Sequence, residues 1–175
     1  SLSIGQGELM ITPIQMANLA TILANRGYYI TPHIVRSIND STSSQIEKHV
    51  IPIARKHFDP IVEGMQMVIK EGTGRRAQID SITIAGKTGT VQNPHGDDHS
   101  VFIAFAPVEN PKIALIVYVE NGVWGSRYAA PIAGLLIEKY LKGKISDRKK
   151  PLEKEMFQGS LIHNTTSKVK ETSNE

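Results

Sequence analysis

The sequence predicts an α+β fold: three antiparallel strands in one sheet, with flanking helices. Three observations carry that expectation. Stretches with helical spacing lie early in the chain and again near residue 135. Between them, residues 81–92, 100–107 and 112–121 are consecutive runs that alternate or are dense in β-branched and aromatic side chains. The links between those runs are too short to hold a crossover helix, so neighbouring strands must run antiparallel.

The first helix is marked in "TPIQMANLATILANRG". Thr12 is the N-cap, Pro13 the first helical residue, and Gln15 completes a capping box. Ile14, Ala17, Leu19, Ala20, Leu23 and Ala24 form a broad apolar face, and Asn25-Arg26-Gly27 ends the helix. "YYITPHIVRSI" reads as extended chain interrupted at Thr31-Pro32, and "NDSTSSQIEKH" as a polar loop or hairpin end. A second helix follows Asp59-Pro60, with Ile61, Met65, Val68 and Ile69 on one face and Gly72-Thr73-Gly74 as its stop. Met65 and Met67 are expected to fill core space. In the first β run, Ile82 and Ile84 share a face. "VENP" turns the chain between the second and third. The last helix lies within "SRYAAPIAGLLIEKYLKG", where Pro131 requires a late start or an early kink. Residues 1–143 are assigned to one domain portion. Residues 144–175, polar and aperiodic, are assigned to a disordered tail.

Composition narrows the function classes. Hydrophobic content is 40% and charged content 21% over 175 residues, ordinary for a globular protein. Lys plus Arg number 20 and Asp plus Glu 17, a scattered excess of +3 that does not point to nucleic acid. The absence of cysteine removes disulfides, thiolate catalysis and cysteine–zinc sites. No apolar run approaches the roughly 18 residues of a membrane helix. The chain begins without Met in what reads as mid-domain sequence, so a C-terminal piece of a longer protein is expected, with any anchor or export signal upstream.

"AGKTGTVQNPHG" at 85–96 carries the chemistry. Gly86-Lys87-Thr88 matches the end of a phosphate loop, but the first glycine of that motif would fall on Ser81, and "TVQNPHG" cannot start the helix that must follow. The other reading is the K-T-G box of penicilloyl-serine transferases, Lys87-Thr88-Gly89. Lys87 supplies positive field, the Thr88 hydroxyl can bond a carboxylate, and Gly89 leaves backbone room for a substrate alongside the strand.

The neighbours of this box decide between them. "SIGQGELMITPIQMANLATILANRG" resembles the S-I-G-Q-G…T-P-x-Q-x-A…N-G-G segment of class B penicillin-binding proteins. "FDPIVEGMQMVIKEGTG" resembles the helix before their K-T-G strand, and "AGKTGTVQNPHGDDHSVFIAFAPVENPKIALIVYVENG" resembles that strand and the two after it. "AAPIAGLLIEKYL" resembles their closing helix. The resemblance runs in one order from Ser1 to about Lys142, and "HSVFIAFAP" and "YVENG" look most like the elongation-type branch.

The resemblance implies a partial penicillin-binding-protein transpeptidase (serine β-lactamase-like) fold. The K-T-G strand lies at the outer edge of a sheet that has five strands when complete. It implies a peptidoglycan D,D-transpeptidase in the full protein, in which a serine of an S-x-x-K motif attacks a D-Ala-D-Ala stem peptide. Lys87 and Thr90 are implied as catalytic, Lys87 in electrostatics and proton transfer and Thr90 through its backbone N–H in the oxyanion hole. Thr88 and Gly89 are implied as substrate-binding. No cofactor and no metal are implied. The implied partners are peptidoglycan stem peptides, β-lactam antibiotics and a membrane glycosyltransferase of the cell-elongation complex, at the periplasmic face of the inner membrane. In the family, S-x-x-K and S-x-N precede S-I-G-Q-G, so the nucleophile is expected outside this chain. The competing functions are a β-lactam-sensor or serine β-lactamase domain, and a non-catalytic wall-elongation interaction module.

Several stretches imitate functional motifs. Ser146-Asp147-Arg148-Lys149 and Ser167-Lys168-Val169-Lys170 spell S-x-x-K on the wrong side of K-T-G, and Ser37-Ile38-Asn39 spells S-x-N after S-I-G-Q-G. His95, Asp97, Asp98 and His99 could hold a metal or simply form a polar loop beside the cleft. Trp124 and Tyr128 are read as core or rim packing rather than groove aromatics.

Overall fold

The computed structural model describes residues 9–35, 37–38, 41–42 and 47–161. The S-I-G-Q-G segment, Asn39 and the Ser167–Lys170 motif lie outside them. The described elements run α1 (Pro13–Ala24), β1 (Tyr28–Ile30), β2 (Ser37–Ile38), β3 (Ser41–Thr42), β4 (Lys48–Val50), α2 (Asp59–Lys70), β5 (Ala85–Val91), β6 (His99–Ala106), β7 (Ile113–Val119), α3 (Ala129–Lys142) and α4 (Lys150–Gln158). β1 pairs with β4 and β2 with β3, each antiparallel.

The main sheet has the order β5-β6-β7, antiparallel throughout. β6 is central, and every residue from Ser100 to Ala106 is buried. Its alternating side chains feed two cores. Phe102, Ala104 and Ala106 pack with Ala129, Ala130, Ala133 and Ile137 of α3 on one face. Phe105 packs with Ala24, Val62, Met65 and Ala85 on the other, under α1 and α2. Phe102 and Phe105 are fully buried, and side chains of that size contribute about 1.5–3 kcal/mol each. β5 forms one edge of the sheet. Among the described residues β7 pairs only with β6 and forms the other edge.

Local sequence signals explain the helix ends. Gln15 Oε1 accepts hydrogen bonds from the Thr12 N–H (2.8 Å) and the Thr12 hydroxyl (3.0 Å) at the start of α1. Pro131 sits in the first turn of α3, where a missing N–H costs nothing, and Gly143 ends that helix at φ +75°.

Four expectations are corrected. α2 buries Met65 and Ile69 as expected, but Val62 in place of Ile61, which is 50% exposed. Met67 is 59% exposed and fills no core. The first sheet strand begins at Ala85, not near Ser81. Ser81 takes φ +64°, in a turn that closes a single Ile79–Ile82 bridge, although Ile82 and Ile84 still pack into the α3-side core. Finally, order does not stop at 143. Residues 147–149 form a 3-10 turn and α4 follows, with Pro151 in its first turn. Long-range charge pairs hold this segment to the domain: Arg76 Nη2 reaches both carboxylate oxygens of Glu155 at 2.7 Å, and Arg148 pairs with Asp80 at 2.5 Å. No helix among the described residues is long and apolar enough to cross a membrane.

Candidate active site

Lys87, Thr88, Gly89 and Thr90 are consecutive on the edge strand β5, opposite Ile103, Phe102, Val101 and Ser100 of β6. Alternation puts Lys87 and Gly89 on one face and Thr88 and Thr90 on the other. Lys87 is exposed, and its Nζ folds back to donate to the Thr88 carbonyl at 2.8 Å. That contact marks the Thr88 carbonyl as open to the outer edge. Along an antiparallel strand, the N–H and C=O of alternate residues share a direction, so the Thr90 N–H points the same way.

Two glycines of this strand serve different ends. A Cβ on Gly86 would meet the Phe102 ring at 2.5 Å, so packing alone demands glycine there. A Cβ on Gly89 would meet nothing closer than Val101 at 3.5 Å, an ordinary contact. The described fold itself therefore does not demand glycine at position 89.

Thr73 is the residue that sequence reasoning missed. It reads as the middle of a Gly-Thr-Gly helix stop, yet its hydroxyl lies 2.6 Å from the Thr88 hydroxyl. One of the two donates to the other. A Thr88 hydroxyl that accepts from Thr73 is left with its own proton for an incoming anion.

The loop from Glu120 to Tyr128 supports the inner side of the strand. A Cβ on Gly125 would lie 2.5 Å from the Val101 carbonyl oxygen, 2.8 Å from that of Gly89 and 3.0 Å from Thr88 Cβ, so the loop is seated on the β5–β6 pair. Ser100, buried opposite Thr90, donates from Oγ to the Trp124 carbonyl (2.9 Å) and accepts from the Ala129 N–H (3.1 Å). The loop also holds Asn121 at φ 55° and Val123 at φ 63°, the latter costly for a β-branched residue, about 1–3 kcal/mol. Hydrogen bonds from the 93–99 loop keep it there. The Val123 N–H donates to the Asp98 carbonyl at 2.8 Å, the Asn121 N–H to His99 Nδ1 at 3.1 Å, and Asn93 Nδ2 to Asn121 Oδ1 at 3.1 Å. Asp98 and His99 are thus acceptors that brace a strained loop, and no three metal-ligating side chains converge among the described residues. Trp124 is 65% exposed on that loop and Tyr128 half-buried, so Trp124 is at a rim and not in a core.

The Ser146–Lys149 motif lies elsewhere. Its serine precedes the 3-10 turn, its N–H donates to Glu138 Oε2 at 3.4 Å, and it lines a cavity that contains none of Lys87 to Thr90.

Edge-strand Lys-Thr-Gly, an adjoining hydroxyl and a sheet packed between α3 and the α1–α2 pair together define a class, and comparison with known proteins agrees. Residues 1–138 match the penicillin binding protein transpeptidase domain family. The chain belongs to that family. It is 34% identical over 170 residues to the peptidoglycan D,D-transpeptidase MrdA of Haemophilus influenzae, covering 83% of this chain and 26% of that protein. The crystal structure of Pseudomonas aeruginosa PBP2 in complex with WCK 5153 superposes with a TM-score of 0.71 at 36% identity, covering 85% of this chain and 34% of the other. A peptidoglycan synthase complex, solved for the coordination of polymerization and crosslinking, contains a chain with a TM-score of 0.73 at 28% identity, covering 83% and 26% respectively. The chain spans about a quarter to a third of the length of the curated relatives it matches. The resemblance to class B penicillin-binding proteins, the partial α+β fold and the placing of the K-T-G strand at a sheet edge all agree with these findings.

Proposed function

We propose that this chain forms the K-T-G wall of the catalytic cleft of a peptidoglycan D,D-transpeptidase, a serine acyltransferase whose nucleophile is supplied by another part of the full protein. The observation that carries this is the Lys87, Thr88 and Thr90 row on an edge strand, with Thr73 from the turn after α2 bonded to Thr88 and no steric demand for glycine at 89. The Thr88 hydroxyl, backed by Thr73, binds the terminal carboxylate of a D-alanyl donor or its counterpart in a β-lactam. The serine attacks the penultimate D-alanine carbonyl, and the oxygen that gains charge is met by the Thr90 N–H and the N–H of the serine. Lys87 sets a positive field over both steps and serves in proton transfer. D-alanine leaves, and an amine from a second stem peptide takes the acyl group.

The names of the relatives support transpeptidation over β-lactamase or sensor chemistry. A neighbour in a peptidoglycan synthase complex and another solved as an imipenem acyl-enzyme support stem peptides and β-lactams as ligands, and with them we place the protein on the extracytoplasmic side of a membrane beside a membrane glycosyltransferase. The test is Lys87→Ala in the full-length protein, with acylation followed by a fluorescent penicillin. Loss of one such preorganised group is expected to slow labelling about 10²–10³-fold. Labelling at the wild-type rate would remove Lys87 from the mechanism.

A further inference from the structure

A second site lies away from K-T-G. A cavity of about 300 Å³ opens between the Arg75–Ala77 turn, the last turns of α3 and the Ser146–Lys149 turn. Five cations line it, namely Arg75, Arg76, Lys142, Arg148 and Lys149, against the two carboxylates Asp80 and Glu138. Three of the cations are already engaged. Arg76 pairs with Glu155, Arg148 with Asp80, and Lys142 with the buried Glu138 at 3.4 Å. The other two are not. Arg75 makes no ion pair or side-chain hydrogen bond among the described residues. Lys149 Nζ is shut off from solvent and hydrogen-bonds nothing. Glu138 and Asp80 act on its charge, but a dry ammonium without a hydrogen bond is costly, and an acceptor in the cavity would relieve that cost.

We infer that this cavity binds a phosphate monoester or pyrophosphate group through Lys149 and Arg75. Charge selects that class over a carboxylate: two unmatched cations call for an anion of about −2 charge with three or more acceptor oxygens. Size points the same way, since the cavity is larger than a bare phosphate and holds part of the esterified group as well. Asp80 and Glu138 do not repel the anion at full strength, because Arg148 and Lys142 neutralise them and the Ser146 N–H also bonds Glu138. This site shares no lining residue with Lys87 to Thr90 and does not depend on the transpeptidase reading.

The experiment is a thermal-shift titration of the full-length protein with inorganic phosphate against chloride at equal ionic strength. A saturable rise in the unfolding midpoint with phosphate alone is expected. Lys149→Met and Arg75→Ala should each weaken the apparent phosphate affinity about tenfold, the size of one lost charge-assisted hydrogen bond. Lys150→Met, outside the cavity, should leave it unchanged. Arg75 is exposed and forms no ion pair among the described residues, so its variant reports on binding independently of any change in stability at Lys149. Glycerol phosphate in solution and phosphatidylcholine vesicles with or without phosphatidic acid distinguish a free ester from a lipid headgroup. Binding of either that is lost in the two variants supports the site. Equal midpoints in phosphate and chloride, or a phosphate effect that survives both substitutions, would overturn it.

Discussion

Thr90 serves its proposed role through its backbone, which separates it from most catalytic residues. Thr90→Val keeps the N–H and suits a strand, so acylation by a fluorescent penicillin should stay near the wild-type rate. Thr90→Pro removes the donor and should abolish it. An active proline variant would exclude an oxyanion role. Thr73 is the opposite case, a side chain acting through another. Thr73→Val strips the partner from the Thr88 hydroxyl at 2.6 Å and should lower the acylation rate constant about tenfold. Thr73→Ser should restore it, which a purely packing role for Thr73 would not produce. Lys87 to Thr90 stand out in the sequence as candidates because they are contiguous. Thr73 does not, because its contact with Thr88 spans the end of a helix, a 3-10 turn and the entry to a strand, and no local pattern reports such a distance.

Elements were legible where burial imposes a period and illegible where tertiary contacts override one. β6 announces itself, since a central strand covered on both faces is apolar along most of its length, here from Val101 to Ala106. α2 offers Ile61, Val62, Met65, Val68 and Ile69, which fit two adjacent stripes equally well, and only the position of β5 selects Val62. α4 has few apolar residues of its own and is held by Arg76 on Glu155 and, just before it, by Arg148 on Asp80, pairs 79 and 68 residues apart in sequence. The loop after β7 makes its own prediction. Gly125→Ala drives a methyl into the Val101 and Gly89 carbonyls, so the loop must lift or β5 must shift. Stability should fall by about 1–3 kcal/mol in denaturant melts, with slower acylation alongside. The turn before α4 makes another. Burial pushes the Lys149 ammonium below its usual 10.5. Glu138 and Asp80 pull it partly back, while Lys142 and Arg148 push it lower. The unfolded chain then holds that proton more tightly, so the penalty is full below the folded pKa and fades as pH rises toward 10.5. In phosphate-free buffer Lys149→Met should therefore melt above wild type near neutral pH, and the gap should close as the solution becomes alkaline.

At the scale of the whole molecule, the chain presents an unfinished surface. β7 is bare on one side among the described residues, and α1 leaves Ile14 and Leu19 exposed, with Met10 and Ile11 just before it. Both are faces that a larger domain would cover. Residues 1–175 expressed alone should be poorly soluble or partly unfolded, because an open apolar strand edge templates association. They should also gain no mass from excess penicillin in intact-protein mass spectrometry. A drug-sized adduct mapped to Ser146 would assign chemistry to the motif at the second cavity. The order β5-β6-β7 has a kinetic consequence as well. Each strand pairs with the one made just before it, so most sheet contacts are short-range in sequence and need little loop closure. In the full protein this three-strand meander should assemble early, and strands from elsewhere in the chain should then add to the β7 edge. Pulse-labelled hydrogen exchange during refolding should show β6 amides protected first and β7's outward amides last.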